Sequence, residues 1–416
     1  MRGSQVRGVV VIGAGHAGVE TAVSLRSGGY SGPVTVVGAE RHLPYQRPPL
    51  SKEMLADAGD PDELTLRSGD FFRDQRITLC HGTAVDIDRA GRQVHVVGSR
   101  PVDYDHVVLA TGAVPRRLEL PGRSLRGVAE LRSLDDAIAL RASLAGARRV
   151  VVLGGGFIGM EVASAARKRG VEVAVLELGD RLLKRAVSPP VSEAVAAYHR
   201  AEGVQLFFGE HATELVGSAG HVVGVRTGSG RVLRADVVVL GVGATAVDDL
   251  ARRAGLDTDG GVVVDRWLAT SDPRITAIGD CAVVCDPAGG TRQRLESIQN
   301  ATDQGRYAAA RILGEQRPFH ALPWFWSNQG ALRLQLVGVA GDVDKLVVRG
   351  SEGRFSVFCL RGGRLCAVES VNDPGSHMAA RRLLERGTPN EAELLAVDFD
   401  VRVLARRART RENAVA

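Results

Sequence analysis

Gly13, Gly15 and Gly18 form one G-x-G-x-x-G set in this chain, and Gly154, Gly156 and Gly159 form a second, 141 positions later. Each set follows an apolar run, Val9-Val10-Val11-Ile12 or Val150-Val151-Val152-Leu153, and precedes a helical pattern over residues 19–25 or 160–167. In a strand–turn–helix of this kind the first glycine permits the tight turn and the second lets backbone approach a pyrophosphate. The third allows helix and strand to pack closely, so the helix N-terminus points its amides at the phosphates. One such pattern is weak, because many glycine turns match it by chance. Two in full context imply two dinucleotides in one protein, and two dinucleotides held together mean electron transfer.

Each copy needs an acid about 20 residues on to accept ribose hydroxyls. In the second copy Glu177 lies 18 residues after Gly159, at the end of Val173-Ala174-Val175-Leu176. In the first, Glu40 lies 22 residues after Gly18; it arrives late, with Gly38 in the usual place, and reads either as the ribose acid or as an exposed turn residue.

The elements that position these groups alternate strand and helix, which places the fold class as α/β, with two Rossmann-like dinucleotide-binding domains and a C-terminal α+β domain. Residues 43–52 contain Pro48-Pro49, read as an extended segment, after which Ser51 can cap a helix starting near Lys52. A strand ending in Ala110-Thr111-Gly112 leaves the first nucleotide domain, and residues 131–145 read as a helix. The second unit closes with residues 235–243, ending in Gly241-Val242-Gly243. A strand then ends in Gly279-Asp280, and a helix starts at residues 296–301 and runs to about 313. Beyond Pro323, short strands over 333–339, 345–348, 355–360 and 365–371 precede a helix at 378–385.

Fifty glycines, 44% apolar and only 4% aromatic residues suit such a fold. No apolar stretch approaches the roughly 18–20 residues of a membrane span. The N-terminus lacks a signal peptide's charged start and apolar core, with a first strand by about Val6, so a cytoplasmic protein is expected. The net charge is +5, carried almost wholly by arginine, since Lys52, Lys168, Lys184 and Lys345 are the only lysines. Either coding-DNA composition or a basic face for an acidic protein partner explains it. No stretch interleaves aromatics with basic residues as a single-strand nucleic-acid binder would.

Cys80, Cys281, Cys285, Cys359 and Cys366 are an odd set without C-x-x-C. Cys281 and Cys285, with Asp286 and Pro287 beside them, offer no metal-ligand set, and no metal is expected. A hairpin about Gly362-Gly363 would set Cys359 opposite Cys366, within disulfide reach, but a reducing cytosol favours free thiols.

These segments, in this order, resemble the FAD-dependent NADH:ferredoxin reductases of bacterial oxygenase systems. The marks are Tyr45-Gln46-Arg47-Pro48-Pro49-Leu50-Ser51-Lys52, Thr270-Ser271-Asp272-Pro273 with Gly279-Asp280, and Pro323-Trp324-Phe325-Trp326-Ser327. The resemblance spans almost the whole chain. It implies a glutathione-reductase-like fold in which residues 1–115 and 245–322 hold FAD, 116–244 hold NADH, and 323–416 form the C-terminal interface domain.

By the same resemblance the flavin contacts fall on Gly13, Gly15, Ala17, Gly18, Glu40, Arg47, Pro48, Lys52 and Val85. Further along they fall on Ala110, Thr111, Gly112, Arg132, Asp280, Ile298 and Trp326. Asp280 would hold the ribitol chain, and Ile298 with Gln299 would present a helix N-terminus to the flavin's pyrimidine edge. Trp326 reads as a flavin-face residue or as domain core. NADH would lie on Gly154, Gly156, Ile158, Gly159, Glu161, Glu177 and Gly243. Lys52 and Glu161 are the catalytic pair so implied, Glu161 by the nicotinamide carboxamide and Lys52 beside flavin N5. For each the plain alternative is a surface role, Glu161 as a first-turn acid and Lys52 at a solvated helix start. Glu177 would repel the 2′-phosphate of NADPH, unless Arg181 and Arg185 offset it.

Three departures from the family pattern stand out: Ala39 where Asp is frequent, Ala246-Val247 for Pro-Asn, and Asn328 for Asp. The implied activity passes electrons from NADH through FAD to an acidic 2Fe–2S ferredoxin, and so to a haem monooxygenase or Rieske dioxygenase; the Arg402, Arg406, Arg407, Arg409 and Arg411 tail reads as solvated helix surface or as an attraction for that ferredoxin. An NADH oxidase or diaphorase is the alternative. Disulfide reduction is disfavoured because residues 45–55 contain no cysteine. An apoptosis-inducing-factor-like binding protein would carry an inserted segment and a presequence, and neither is visible.

Overall fold

The computed structural model describes residues 8–55, 59–285, 292–386, 391–396 and 400–406. Asp286, Pro287, Arg407, Arg409, Arg411 and the first-strand start near Val6 lie outside them. The chain divides into two compact units, one of Met1–Arg47, Asp60–Val114 and Ala244–Ala321, the other of Pro48–Gly59, Pro115–Gly243 and Leu322–Ala416.

In the first unit the parallel strands lie in the order Ile77–His81, Val34–Gly38, Gly8–Ile12, Val102–Leu109, Ile275–Ala277. The first strand is buried at all five positions, as its unbroken Val/Ile run requires of a sheet covered on both faces. Helix His16–Ser27 turns Ala17, Val19, Ala22 and Leu25 into the core. Asp272, in the Thr-Ser-Asp-Pro turn, is 2% exposed and takes Arg89 Nε at 2.9 Å and the Arg274 backbone N–H at 3.0 Å. That mark is a structural ion pair.

The second unit repeats the order of the first four strands and adds an earlier one at the edge: Val204–Phe208, Glu172–Glu177, Arg149–Leu153, Val237–Leu240, Val128–Ala129, all parallel. Its helix Leu134–Gly146 starts on a full capping box between Ser133 and Asp136. The same unit carries an antiparallel sheet ordered Trp324–Gln329, Leu332–Gly338, Arg364–Val371, Arg354–Arg361, Lys345–Ser351. The outermost strand, Trp324–Gln329, is missing from the sequence reading, since three consecutive aromatic-rich positions obscure the period-2 pattern. Helix Pro374–Arg386 follows, with Ala379, Ala380 and Leu383 packed on Val337, Phe358 and Val368.

Two local expectations are corrected. Pro48–Ser51 and Glu53–Leu55 are 3₁₀ turns, with no extended segment through the prolines and no α-helix starting at Lys52. Proline's fixed φ suits a 3₁₀ turn as well as an extended chain. Residues 48–59, read as part of the flavin segment, group with the second unit. In the hairpin about Gly362-Gly363, Arg361 does face Arg364 and Leu360 faces Leu365. A bulge then sets Cys359 opposite Ala367, so Cys366 is not its cross-strand neighbour, and all five cysteines are free.

Among the described residues, no helix is long and apolar enough to cross a membrane, and no cluster of His, Cys, Asp and Glu could hold a metal ion.

Candidate functional site

The two glycine turns are built alike. Gly13 has φ +119°, and a Cβ there would collide with the Ala110 carbonyl, where the Ala110-Thr111-Gly112 turn closes against it. Gly154 has φ +105° and meets the Gly241 carbonyl in the same way. Gly18 and Gly159 each pack directly on the carbonyl of the turn's own first glycine. Thr111 Oγ1 donates to the Val247 carbonyl at 2.6 Å, and the Val247 N–H to the Gly112 carbonyl at 2.9 Å, pinning the exit turn.

Gly15 and Gly156 differ from the others: a Cβ on either would meet nothing within 4 Å. They are the N-caps of the helices His16–Ser27 and Phe157–Lys168, and neither offers a side-chain hydrogen bond to the first-turn amides. Open space in front of unclaimed helix amides is what a dinucleotide pyrophosphate requires. The residues therefore fit FAD in the first turn and NAD(H) in the second.

Around the first turn, Glu40 accepts from the Tyr45 hydroxyl and from Arg47 Nη2, the latter at 2.5 Å, and the Arg47 guanidinium lies over the Tyr45 ring. His16, at the first helical position, escaped the sequence reading. Burial, reinforced by the Arg47 guanidinium and opposed by Asp280, lowers its pKa to about 4, so it is neutral. Ala17 is buried against the start of the turn Gly279–Cys281, which carries Asp280. Helix Ile298–Ile312 starts at Ile298 as expected, with Ser297 capping the Asn300 amide. Val85 lies exposed on strand Ala84–Asp88. Pro48, Lys52, Arg132 and Trp326, also expected on the flavin, are carried by the second unit.

Around the second turn, Glu177 accepts the Gly155 and Gly179 amides, both at 2.7 Å. The carboxylate is thereby fixed beside the glycine turn. Arg181 is spent on the Val187 and Lys184 carbonyls, at 2.8 and 3.0 Å, while Arg185 Nη2 approaches Gly243. Ile158 is 45% exposed at the helix start, an apolar side chain left facing out beside the turn.

Glu161 is not a solvated first-turn acid. It is 6% exposed, and Lys52 Nζ lies 2.7 Å from its Oε2. The Ser51 hydroxyl donates to the same oxygen, and the Ser327 hydroxyl to Oε1 at 2.6 Å. Ser51 therefore serves the carboxylate and does not cap a helix. Lys52 also donates to the Pro48 carbonyl at 3.1 Å, so the 3₁₀ turn aims its ammonium. Three donors occupy three of the roughly four lone-pair directions of a carboxylate. One remains on Oε1.

Trp326 and Trp324 alternate with Phe325 and Ser327 along their strand. The two tryptophan rings lie 5.4 Å apart, and the Arg381 guanidinium sits 4.5 Å over Trp324. Trp324 packs on the domain core. Phe325 turns the other way, with its ring 4.5 Å from Phe157 at the second glycine turn. Ser51, Ser327, Gln329 and His199 escaped the sequence reading of the site, and only the family-like Trp-Ser-x-Gln stretch signalled two of them.

Residues 7–305 match the family model described as pyridine nucleotide-disulphide oxidoreductase, and residues 324–405 match a reductase C-terminal domain. Rhodocoxin reductase of Rhodococcus erythropolis is 45% identical over 413 residues, covering 98% of this chain and 97% of the relative. The crystal structure of the ferredoxin reductase for the CYP199A2 system of Rhodopseudomonas palustris superposes with a TM-score of 0.93 at 43% identity, over 96% of this chain and 100% of that one. That of the covalent putidaredoxin reductase–putidaredoxin complex gives 0.92 at 36%, over 97% and 99%. Paired glycine turns, the matched C-terminal domain and end-to-end similarity converge: the chain belongs to the pyridine nucleotide-disulphide oxidoreductase family, in its FAD-dependent, putidaredoxin-reductase-type branch.

Proposed function

We propose that this protein is a cytoplasmic reductase carrying electrons from NADH through FAD to an acidic 2Fe–2S ferredoxin that supplies an oxygenase. Bound FAD supplies the chemistry, taking electrons in pairs and releasing them singly. The observation that carries the reading is the buried Lys52–Glu161 pair on a turn without a thiol. The family's disulfide reductases need a thiol near the first nucleotide unit, whereas residues 45–55 hold none and Lys52 occupies the turn.

In this reading Glu161 uses its remaining lone-pair direction to accept an N–H of the nicotinamide carboxamide, which orients the ring. Lys52 holds that carboxylate in place and presents a cation at the flavin's edge. Glu40 and Glu177 take the two adenine riboses, and Gly15 and Gly156 leave room for the two pyrophosphates. Glu177 selects NADH, because a 2′-phosphate would face a carboxylate whose neighbour Arg181 is already committed to backbone carbonyls. The C-terminal domain of residues 323–416 forms the electron exit. Of its tail arginines, Arg402 lies 3.5 Å from Asp373, so part of the tail's positive charge is balanced within the chain.

The test is NADH-dependent cytochrome c reduction with and without candidate 2Fe–2S ferredoxins. Strong dependence on one of them, weakening with salt, is expected. Activity indifferent to every ferredoxin would make the protein an oxidase or diaphorase.

A further inference from the structure

Glu161 stands at the end of a line of buried polar side chains. Behind Ser327, Gln329 Nε2 lies 3.3 Å from the Ser327 oxygen, and His199 Nε2 lies 2.8 Å from Gln329 Oε1. Ser327, Gln329 and His199 are all 0% exposed. They come from the strand Trp324–Gln329 and the helix Pro189–Ala201, neither adjacent in sequence to the helix that carries Glu161.

The polarity of the line follows from its end. A carboxylate paired with the Lys52 ammonium only accepts, so the Ser327 hydroxyl must donate to it. The Ser327 oxygen then accepts from the Gln329 amide nitrogen, which turns the Gln329 carbonyl toward His199 and requires a proton on His199 Nε2. His199 Nδ1 finds no partner among the described residues, so a second proton there would be buried and unsatisfied. Burial correspondingly holds His199 below the ordinary histidine range, against the Gln329 hydrogen bond and the Glu202 charge. Every group therefore has one permitted orientation.

The scaffold behind the line is rigid. Beside His199, the Tyr198 hydroxyl accepts the Ala331 N–H at 2.9 Å, tying the helix to the turn that follows the strand. At the helix's other end Glu369, 2% exposed, accepts the Ser188 N–H at 2.8 Å and the Ser188 hydroxyl. A core needing only stability would be filled with apolar side chains at these positions. A one-way polar line, each member hydrogen-bonded to the next, specifies a unique geometry instead.

We propose that Ser327, Gln329 and His199 are positioning residues that hold the Glu161 carboxylate at the angle in which it receives the nicotinamide. This rests on the reading of Glu161 as the nicotinamide-facing acid. The predicted consequence is that the three residues act on NADH through Glu161 and through nothing else.

The experiment measures NAD⁺ affinity of the holoenzyme by calorimetric titration and flavin reduction by NADH in stopped flow. It uses Ser327→Ala, Gln329→Met and His199→Phe, each alone and combined with Glu161→Gln. Ser327→Ala should weaken NAD⁺ binding about fivefold and slow reduction about tenfold, with smaller effects for Gln329→Met and His199→Phe. His199→Gln, which keeps a donor, should recover part of what His199→Phe loses. In the Glu161→Gln background each further substitution should change either quantity by less than about twofold, the signature of groups acting through one residue. Full additivity in that background, or wild-type behaviour of Ser327→Ala beside an impaired Glu161→Gln, would overturn the relay alone. A wild-type Glu161→Gln would instead overturn the underlying reading of the site. If Gln329→Met or His199→Phe fails to fold, Ser327→Ala, which removes one oxygen, decides.

Discussion

Lys52 and Glu161, 109 positions apart in the chain, meet with 2.7 Å between ammonium and carboxylate, the carboxylate side chain only 5% exposed and the lysine 16%. Removing one partner of such a pair leaves an uncompensated buried charge. Lys52→Met should destabilise the protein by about 3 kcal/mol, the lower end of the usual range because Ser51 and Ser327 still donate to the carboxylate. Urea unfolding measures this, and flavin reduction by NADH should fall at the same time. A variant with wild-type stability and wild-type reduction would remove the pair from both roles.

The glycines of the first turn separate fold from cofactor. Gly13→Ala places a methyl group against the Ala110 carbonyl at a positive φ, and should yield unstable or insoluble protein. Gly15→Ala meets no protein atom, so the chain should fold while retaining little FAD, read as the ratio of flavin to protein absorbance. In the same way Gly156→Ala should keep FAD and lose NADH affinity. Full flavin content in Gly15→Ala would mean that the pyrophosphate lies elsewhere.

Coenzyme choice should rest on Glu177. At about 4 Å and a surface-like dielectric, a 2′-phosphate charge against this carboxylate costs up to roughly 4 kcal/mol, and a fraction of that is a tenfold preference. The kcat/KM ratio of NADH to NADPH should therefore exceed about ten and narrow in Glu177→Ala. The variant should also lose some stability, because the Gly155 and Gly179 amides lose their acceptor. An unchanged ratio would shift selection to Arg185 or beyond.

Asp272 makes stability depend on acid. Its burial disfavours the charge, but the Arg274 backbone N–H and the Arg89 and Arg274 guanidinium groups outweigh that and set its pKa below the ordinary value of 3.8. A carboxylate depressed in the folded state contributes stability that is present above its unfolded pKa and lost as pH falls through the folded one. Asp272→Asn should therefore be clearly destabilised at pH 7, with the gap to wild type closing below about pH 4. A gap independent of pH would mean that shape, and not charge, is what the site needs.

All five cysteines should titrate as free thiols in unreduced, unfolded protein, because the bulge sets Cys359 opposite Ala367 and away from Cys366. Three or fewer would require a disulfide.

Both nucleotide turns were legible because their code is local. Glycines at fixed spacing between a β-branched run and an amphipathic helix force one backbone path, and the repeated strand order follows from right-handed crossovers. Glu177 was reached through motif spacing, Lys52 and Glu161 through the family resemblance. The strand Trp324–Gln329 was missed, because its apolar and polar residues do not alternate cleanly. Ser51 was given a cap role that its immediate neighbours permit but its distant partner overrides.

By itself the sequence determined that two dinucleotides are bound on two α/β units, and that residues 45–55, after the first of them, hold no cysteine. Which polar side chains surround Glu161 was decided only by the tertiary structure. Ser51, Glu161, His199, Ser327 and Gln329 are ordinary residues in four separate segments, and a serine or glutamine read locally is indistinguishable from a solvated one. Their meaning depends on which face each element turns inward, and long-range packing settles that choice, because burying an unpaired carboxylate costs more than any local preference supplies.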